Sequence, residues 1–478
     1  MSSTRAIAHN TIIQIIGKVI SVFLGLLAIG LMTRYLGTEK FGWYVTTTTF
    51  LQFAYLFIDL GLIPVTAQML GEKIIPEEKL LPNLLGFRFV TGFILMIIAP
   101  LVALFFPYPN EVKIAISLTS ISFLVIAMNQ IFTGFFQYKL KMIYCSLSEL
   151  IGRLALVIQL WFLINHHGSF LWIMTAIVIA TTLNMSSLWL FAHQHIKTNL
   201  AFDKTVWKAI WHKSWPIGIS VIFNVIYLKG DTILLSLYRS QAEVGIYGAA
   251  YRVIDILTQL AMMIMGVILP ILSFQWVNKN KEHFQKQLQQ SFNIMMMIGV
   301  PIVGGLWVLA DKIMILVAGN DFAFAGYPLR ILSLAIFGLY LGAVFGHTAV
   351  AINKQKKTMW IYFSDAILTL IGYLIFIPKF GIAGAAWMTV FSELYAGILL
   401  FATVYYYTKE KLNFTAFYKI IFCTLIMAGV LSLLPGLHGA FVILLLFIGM
   451  VVYGGMLIIT KTISPNTLTE IFTSQKIK

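Results

Sequence analysis

From Trp215 to Leu272 the chain carries two long apolar runs around one short polar turn, RSQAE. In hydrocarbon, an apolar run of about twenty residues satisfies its backbone polar groups only as a helix, so such runs fix the fold class. They recur along all 478 residues. About 14 spans can be drawn, the first at 10–33 and the last at 438–460. With 59% of residues hydrophobic and 11% charged, the chain has more apolar surface than a soluble domain needs. The expected fold is all-α: a polytopic membrane protein with two six-helix lobes around a central cavity and an appended helix pair. The N-lobe covers 1–200 and the C-lobe 201–410, with an interfacial linker at 201–214. The last two spans and a cytoplasmic tail fill 411–478.

A net charge of +15 in a soluble chain would point to nucleic acid. Here topology accounts for it, and no nucleic-acid partner is expected. With the N-terminus inside, cytoplasmic segments hold roughly three times as many Lys and Arg as external ones. Both termini are therefore expected inside. The basic stretch FDKTVWKAIWHKSW spaces Trp207 and Trp211 four apart beside Lys204 and Lys208, a pattern that suits a short helix at the interface as well as an ordinary loop. Cys145 and Cys423 lie in apolar runs and indicate neither a disulfide framework nor a metal site. There is no GxxxxGK[ST], HExxH or CxxC motif, so no built-in ATPase, metal or cofactor is expected. His166-His167 is read as a solvated external dyad, and His347 as a packed or hydrogen-bonded residue.

Charge inside an apolar run is costly and usually marks function. The first lobe holds Lys18, Arg88 and Arg153 against Asp59 and Glu149; the second holds Lys229 and Arg252 against Asp231, Asp255, Asp365 and Glu393. Polar residues line single helix faces at spacings of three and four. Asn10, Gln14, Lys18 and Ser21 do so in span one, Gln52 and Asp59 in span two, and Ser220, Asn224, Tyr227 and Asp231 in span seven. Asn10, Gln14, Asp59 and Asn224 are candidate lumen polar residues. Glu149 and Arg153, four apart, are placed to pair, as are Arg252 and Asp255, three apart. Such stripes point to a transporter or channel; structural intramembrane pairs are the plainer reading. A net basic first lobe suits an anionic group, and the acids Asp231, Asp255, Asp365 and Glu393 suit a coupling H⁺ or Na⁺.

A weak internal repeat aligns Tyr35-LGTEK-Phe41-Gly42-Trp43-Tyr44 with Tyr238-RSQAE-Val244-Gly245-Ile246-Tyr247 at an offset of 203. Both turns face outside, which fits two lobes of parallel topology.

Four stretches carry a family likeness: RYLGTEKFGWYVTTTTFLQFAYLFIDLGL from Arg34, TGFFQYKLKMIYCS from Thr133, YLKGDTILLSLYRSQAEVGIYGAAYRVID from Tyr227 and IPKFGIAGAAWMTVFSEL from Ile377. Together they resemble the polysaccharide transporter branch of the multidrug/oligosaccharidyl-lipid/polysaccharide exporter superfamily, which includes O-antigen (Wzx-type) flippases. The resemblance implies alternating access and an undecaprenyl-diphosphate-linked oligosaccharide as cargo in the bacterial inner membrane. It also implies that lumen cations hold the diphosphate or acidic sugars. Lys18, Arg88, Arg153, Lys229 and Arg252 are the candidates. Lys18, Arg153 and Arg252 sit at successive depths and form a ladder if all face the lumen. An inside-negative potential favours outward movement of an anion by about 2.3 kcal/mol per charge per 100 mV. Expected partners are membrane lipids, a polysaccharide polymerase and a chain-length regulator; the protein is expected to be a monomer and not an enzyme. The rivals are a lipid II flippase, a multidrug or cation antiporter of the same fold, and a membrane glycan polymerase, which usually needs a large external loop.

Overall fold

The computed structural model describes residues 3–59, 61–194, 198–434 and 441–462; the side chains of 3–13, 15, 57–59, 216, 217 and 219–228 lie outside that description. The described chain is helical throughout. The helices are α1 (Ser3–Asp59), α2 (Leu62–Glu72), α3 (Glu77–Ala103), α4 (Asn110–Tyr138), α5 (Ile143–Asn165), α6 (Phe170–His193) and α7 (Lys204–Tyr238). They continue as α8 (Gln241–Val277), α9 (Lys281–Ala318), α10 (Gly326–Ala351), α11 (Gln355–Phe380), α12 (Ile382–Thr408), α13 (Thr415–Ser432) and α14 (Phe441–Ile459). A 3₁₀ turn at Asn320–Ala325 leads into α10.

Twelve of these segments are long and apolar enough to cross a membrane. One of the twelve, α1, is two helices joined at Gly37, whose φ of 68° and ψ of −177° suit a residue without a Cβ. The 35-residue α7 is also long enough to cross. The protein is therefore a multi-pass helical membrane protein. Large apolar side chains cover its outside: Phe105, Trp161 and Ile459 are more than half exposed. That surface would aggregate in water and is satisfied by lipid.

The chain falls into two compact units, Met1–Gly245 and Ile246–Lys478. In the first, α4 packs on α2, α3 and α6, and α1 packs on α5 and α7. An apolar core of Leu62, Leu80, Leu84, Phe132, Phe135 and Phe136 binds α2, α3 and α4. The start of α7 docks on α3 through polar contacts: the Asp203 amide donates to the Asn83 side chain at 2.7 Å, and Trp207 donates to the Asn83 carbonyl at 3.1 Å. The basic stretch from Lys204 is thus the first turns of a long helix, not a separate interfacial one.

In the second unit α10 is the hub, against α9 and α12, and α13 packs on α9 and α14. Helices α10 and α12 cross closely. A Cβ added at Gly338 would lie 2.5 Å from the Glu393 carbonyl carbon, and one at Gly397 would lie 2.7 Å from the Gly338 carbonyl oxygen. Small residues in register permit this approach, the usual way membrane helices gain packing contact where lipid offers no hydrophobic drive.

Candidate functional site

The densest cluster of sequence-predicted residues lies between α1 and α5 in the first unit. Small residues let these helices touch: a Cβ on Gly17 would come 2.8 Å from the Ser146 Cβ. Next to Gly17, Lys18 Nζ lies 3.5 Å from Glu149 Oε1, and the buried Ser21 hydroxyl donates to the same oxygen at 2.5 Å. Glu149 therefore pairs across the interface rather than with Arg153 four residues along its own helix. Arg153 is exposed, and its guanidinium rests beside Gly25 of α1, where an added Cβ would be 3.6 Å from Nη1. Among the described residues Arg153 forms no ion pair. Gln14, also exposed, extends the same helix by a turn. Lys18 and Glu149 keep about a third of their side-chain surface open. Two cations against one carboxylate leave the cluster formally positive by one. A charge on a membrane-spanning helix is costly and usually marks function.

Arg88 is in a different setting. It is fully buried on α3, donates to Gln130 on α4 and to the Tyr55 hydroxyl at 3.4 Å, and stacks 5.6 Å from the Tyr55 ring centre. Sequence spacing gave no hint of this Gln130 partner, because the contact joins positions 42 residues apart.

On α7, Lys229 is partly buried and Asp231 fully so. The Asp231 carboxylate accepts from the amide of Thr232 at 2.5 Å and from its hydroxyl at 3.1 Å. The side chains of Asn10, Asp59 and Asn224 lie outside the described residues.

In the second unit Arg252 and Asp255 of α8 approach to 3.7 Å. On α11, the buried Asp365 accepts from Thr369 at 3.0 Å and from Ser392 of α12 at 2.9 Å. Glu393, the neighbour of Ser392, is 7% exposed. Thr389, one turn before Glu393, meets the hydroxyls of Tyr373 at 3.2 Å and Tyr247 at 3.4 Å. Two acids and a hydroxyl network thus share the α11–α12 interface. Thr369, four residues from Asp365, was readable from spacing; Ser392 was not. His347 bonds the Ala343 carbonyl of its own helix at 2.8 Å.

A multi-pass helical membrane protein with intramembrane cations on α1 and α5 and buried acids on α11 and α12 is the class that fold and site define. The chain belongs to the polysaccharide biosynthesis protein family, whose model matches residues 7–276. A second model, MatE, matches residues 216–377. The probable low-salt glycan biosynthesis flippase Agl15 of Haloferax volcanii is 30% identical over 246 residues, 51% of each chain. The succinoglycan biosynthesis transport protein ExoT of Rhizobium meliloti is 29% identical over 117 residues, 24% of this chain and 23% of that one. The chain thus spans about half the length of the first relative and about a quarter of the second. Among solved structures, the lipid II flippase MurJ in an inward closed conformation aligns with a TM-score of 0.77, covering 97% of this chain and 99% of that one at 18% identity. That likeness is one of fold.

Proposed function

We propose that the protein is a flippase for a lipid-linked oligosaccharide. It carries an undecaprenyl-diphosphate-linked repeat unit, of O-antigen or another surface polysaccharide, from the cytoplasmic to the outer leaflet by alternating access. Its membrane is the bacterial inner membrane, with both termini cytoplasmic. The observation that carries this reading is the open, net positive Lys18–Glu149–Arg153 cluster between α1 and α5. A phosphate-linked head group is too polar to cross hydrocarbon unaided, and fixed cations replace its hydration while the lipid tail stays in the bilayer. Family membership and the names of the glycan-handling relatives support the cargo class.

Membrane potential or a H⁺ or Na⁺ gradient drives the movement, with Asp231, Asp255, Asp365 and Glu393 as the coupling groups. The MatE match and the buried acids of α11 and α12 favour a second reading, a cation-coupled antiporter of the same fold. Deleting the gene separates them. A flippase deletion removes the glycan from the cell surface and leaves lipid-linked oligosaccharide in the inner leaflet. Unchanged surface glycan with heightened sensitivity to cationic drugs refutes the flippase reading.

A further inference from the structure

Where α9 and α13 begin and α14 ends, the second unit forms an open pocket of about 250 Å³. Gln289, Asn293, Asn413, Thr415, Lys419 and Lys461 line it, and among the described residues no carboxylate does. The wall is built by a fixed set of bonds. Gln289 accepts from the Asn413 amide at 2.7 Å and donates to the Asn413 carbonyl at 3.0 Å, pinning the α12–α13 loop to α9. Asn413 in turn accepts from the Thr415 amide at 2.8 Å. Lys419 donates to the Thr460 carbonyl at 2.9 Å, tying α13 to α14. An ammonium has three protons, so this bond leaves two for another acceptor. Among the described residues neither Lys419 nor Lys461 enters an ion pair. Two lysines, amides and hydroxyls, with no acid among the described residues, suit an anion.

A second cavity of about 140 Å³ adjoins the same helices and is wholly apolar, lined by Phe292, Phe337, Leu341, Phe401, Phe414 and Phe417. Phe292 is three residues from Gln289 on α9, and Phe414 precedes Thr415. The rings are fixed against one another: Phe292 meets Phe414 edge-on at 5.6 Å and Phe417 at 6.0 Å. Exposed Tyr406, Tyr418 and Phe422 surround these helix ends, as aromatic residues do at a membrane–water boundary. A cationic polar cavity beside an aromatic one, at that boundary, has the polarity of a lipid.

We infer that this pair of cavities binds an anionic phospholipid of the surrounding bilayer, its phosphate head group on Lys419 and Lys461 and a hydrocarbon chain in the aromatic cleft. The bound head group bridges α13, which carries Lys419, to the turn after α14, which carries Lys461, and holds both on α9. The site is separate from the α1–α5 cluster and stands whether or not the cargo reading holds.

The test uses the purified full-length protein, stripped of lipid in detergent and then supplied with phosphatidylglycerol, phosphatidylcholine or inorganic phosphate. Native mass spectrometry reads bound lipid, and melting reads stabilisation. Phosphatidylglycerol is expected to bind and to raise the melting temperature; the other two are not. Lys419→Gln with Lys461→Gln weakens phosphatidylglycerol binding by about tenfold or more, and Lys419→Arg with Lys461→Arg retains most of it. Phe417→Ala weakens it while leaving the headgroup preference intact. Equal binding of phosphatidylcholine, equal stabilisation by inorganic phosphate, or an unchanged Gln double variant overturns the proposal.

Discussion

Gly42 and Gly245, equivalent positions of the 203-residue repeat, pack against each other's helix starts in the first unit. A Cβ on Gly42 would lie 1.7 Å from the Gln241 carbonyl oxygen, and one on Gly245 would lie 2.0 Å from the Thr38 carbonyl oxygen. Thr38 and Gln241 are themselves 203 apart, so the contact is reciprocal. The Thr46 hydroxyl donates to the Gln241 side chain at 2.6 Å and locks the crossing. A methyl at either glycine forces two backbones apart. Gly42→Ala or Gly245→Ala is therefore expected to cost about 1–3 kcal/mol, read as a lower melting temperature and lower abundance. Wild-type melting in both variants would show that the helices part without cost.

Arg88 is expected to act through packing. Its removal strands Gln130 and the Tyr55 hydroxyl in a buried site, at about 1–3 kcal/mol. Arg88→Gln lowers the amount of folded protein in the membrane, and Arg88→Lys does so too because it loses the planar fork. Full abundance with lost glycan display would instead make Arg88 a cargo contact.

Two ion pairs outside the spans predict acid sensitivity. Lys213 holds the Glu72 carboxyl below the usual carboxylate range, and Lys79 does the same for Asp203, with the Thr205 amide assisting. A lowered carboxylate pKa contributes stability that is complete above the ordinary value of about 4 and is lost as pH falls through the lowered one. Melting of the wild type in detergent should therefore drop more steeply with acid than melting of a Glu72→Gln, Asp203→Asn variant. Added salt should narrow the gap, since exposed pairs are screened. Equal acid slopes count against any contribution from these pairs.

The acids at the α11–α12 interface carry the coupling proposal. Asp365→Asn keeps the shape and can accept from one of Thr369 and Ser392 while its NH₂ donates to the other, and it removes the charge. Transport in vesicles should lose about tenfold in its response to an imposed H⁺ or Na⁺ gradient, with binding of cargo little changed. A full gradient response in Asp365→Asn and Glu393→Gln would show that these acids are not the coupling groups.

Much of the architecture was legible in the sequence, because apolar runs near twenty residues leave the backbone little choice. The break at Gly37 and the two-helix nature of α1 follow from the turn LGTEK. The charged residues were equally visible, but their partners were not. Spacing put Arg153 within reach of Glu149, whereas the α1–α5 packing gave Glu149 to Lys18 and Ser21. Local spacing knows only one helix, and these pairings are made between helices. The small residues Gly17, Ser146 and Gly25 were the available signal that α1 and α5 touch. The repeat was read as lobe symmetry, yet nothing in it announced that Gly42 and Gly245 meet.

In the proposed function the α1–α5 cluster serves an anionic lipid-linked cargo. The direct measurement is transfer of a fluorescent lipid-linked oligosaccharide diphosphate between the leaflets of proteoliposomes containing wild-type, Arg153→Lys or Arg153→Gln protein at matched amounts. Loss of a charge-assisted contact predicts transfer about tenfold to a hundredfold slower in Arg153→Gln, partly retained in Arg153→Lys, with unchanged melting in both. Wild-type transfer rates in Arg153→Gln, or a slowed rate matched by a fall in melting temperature, would contradict the account.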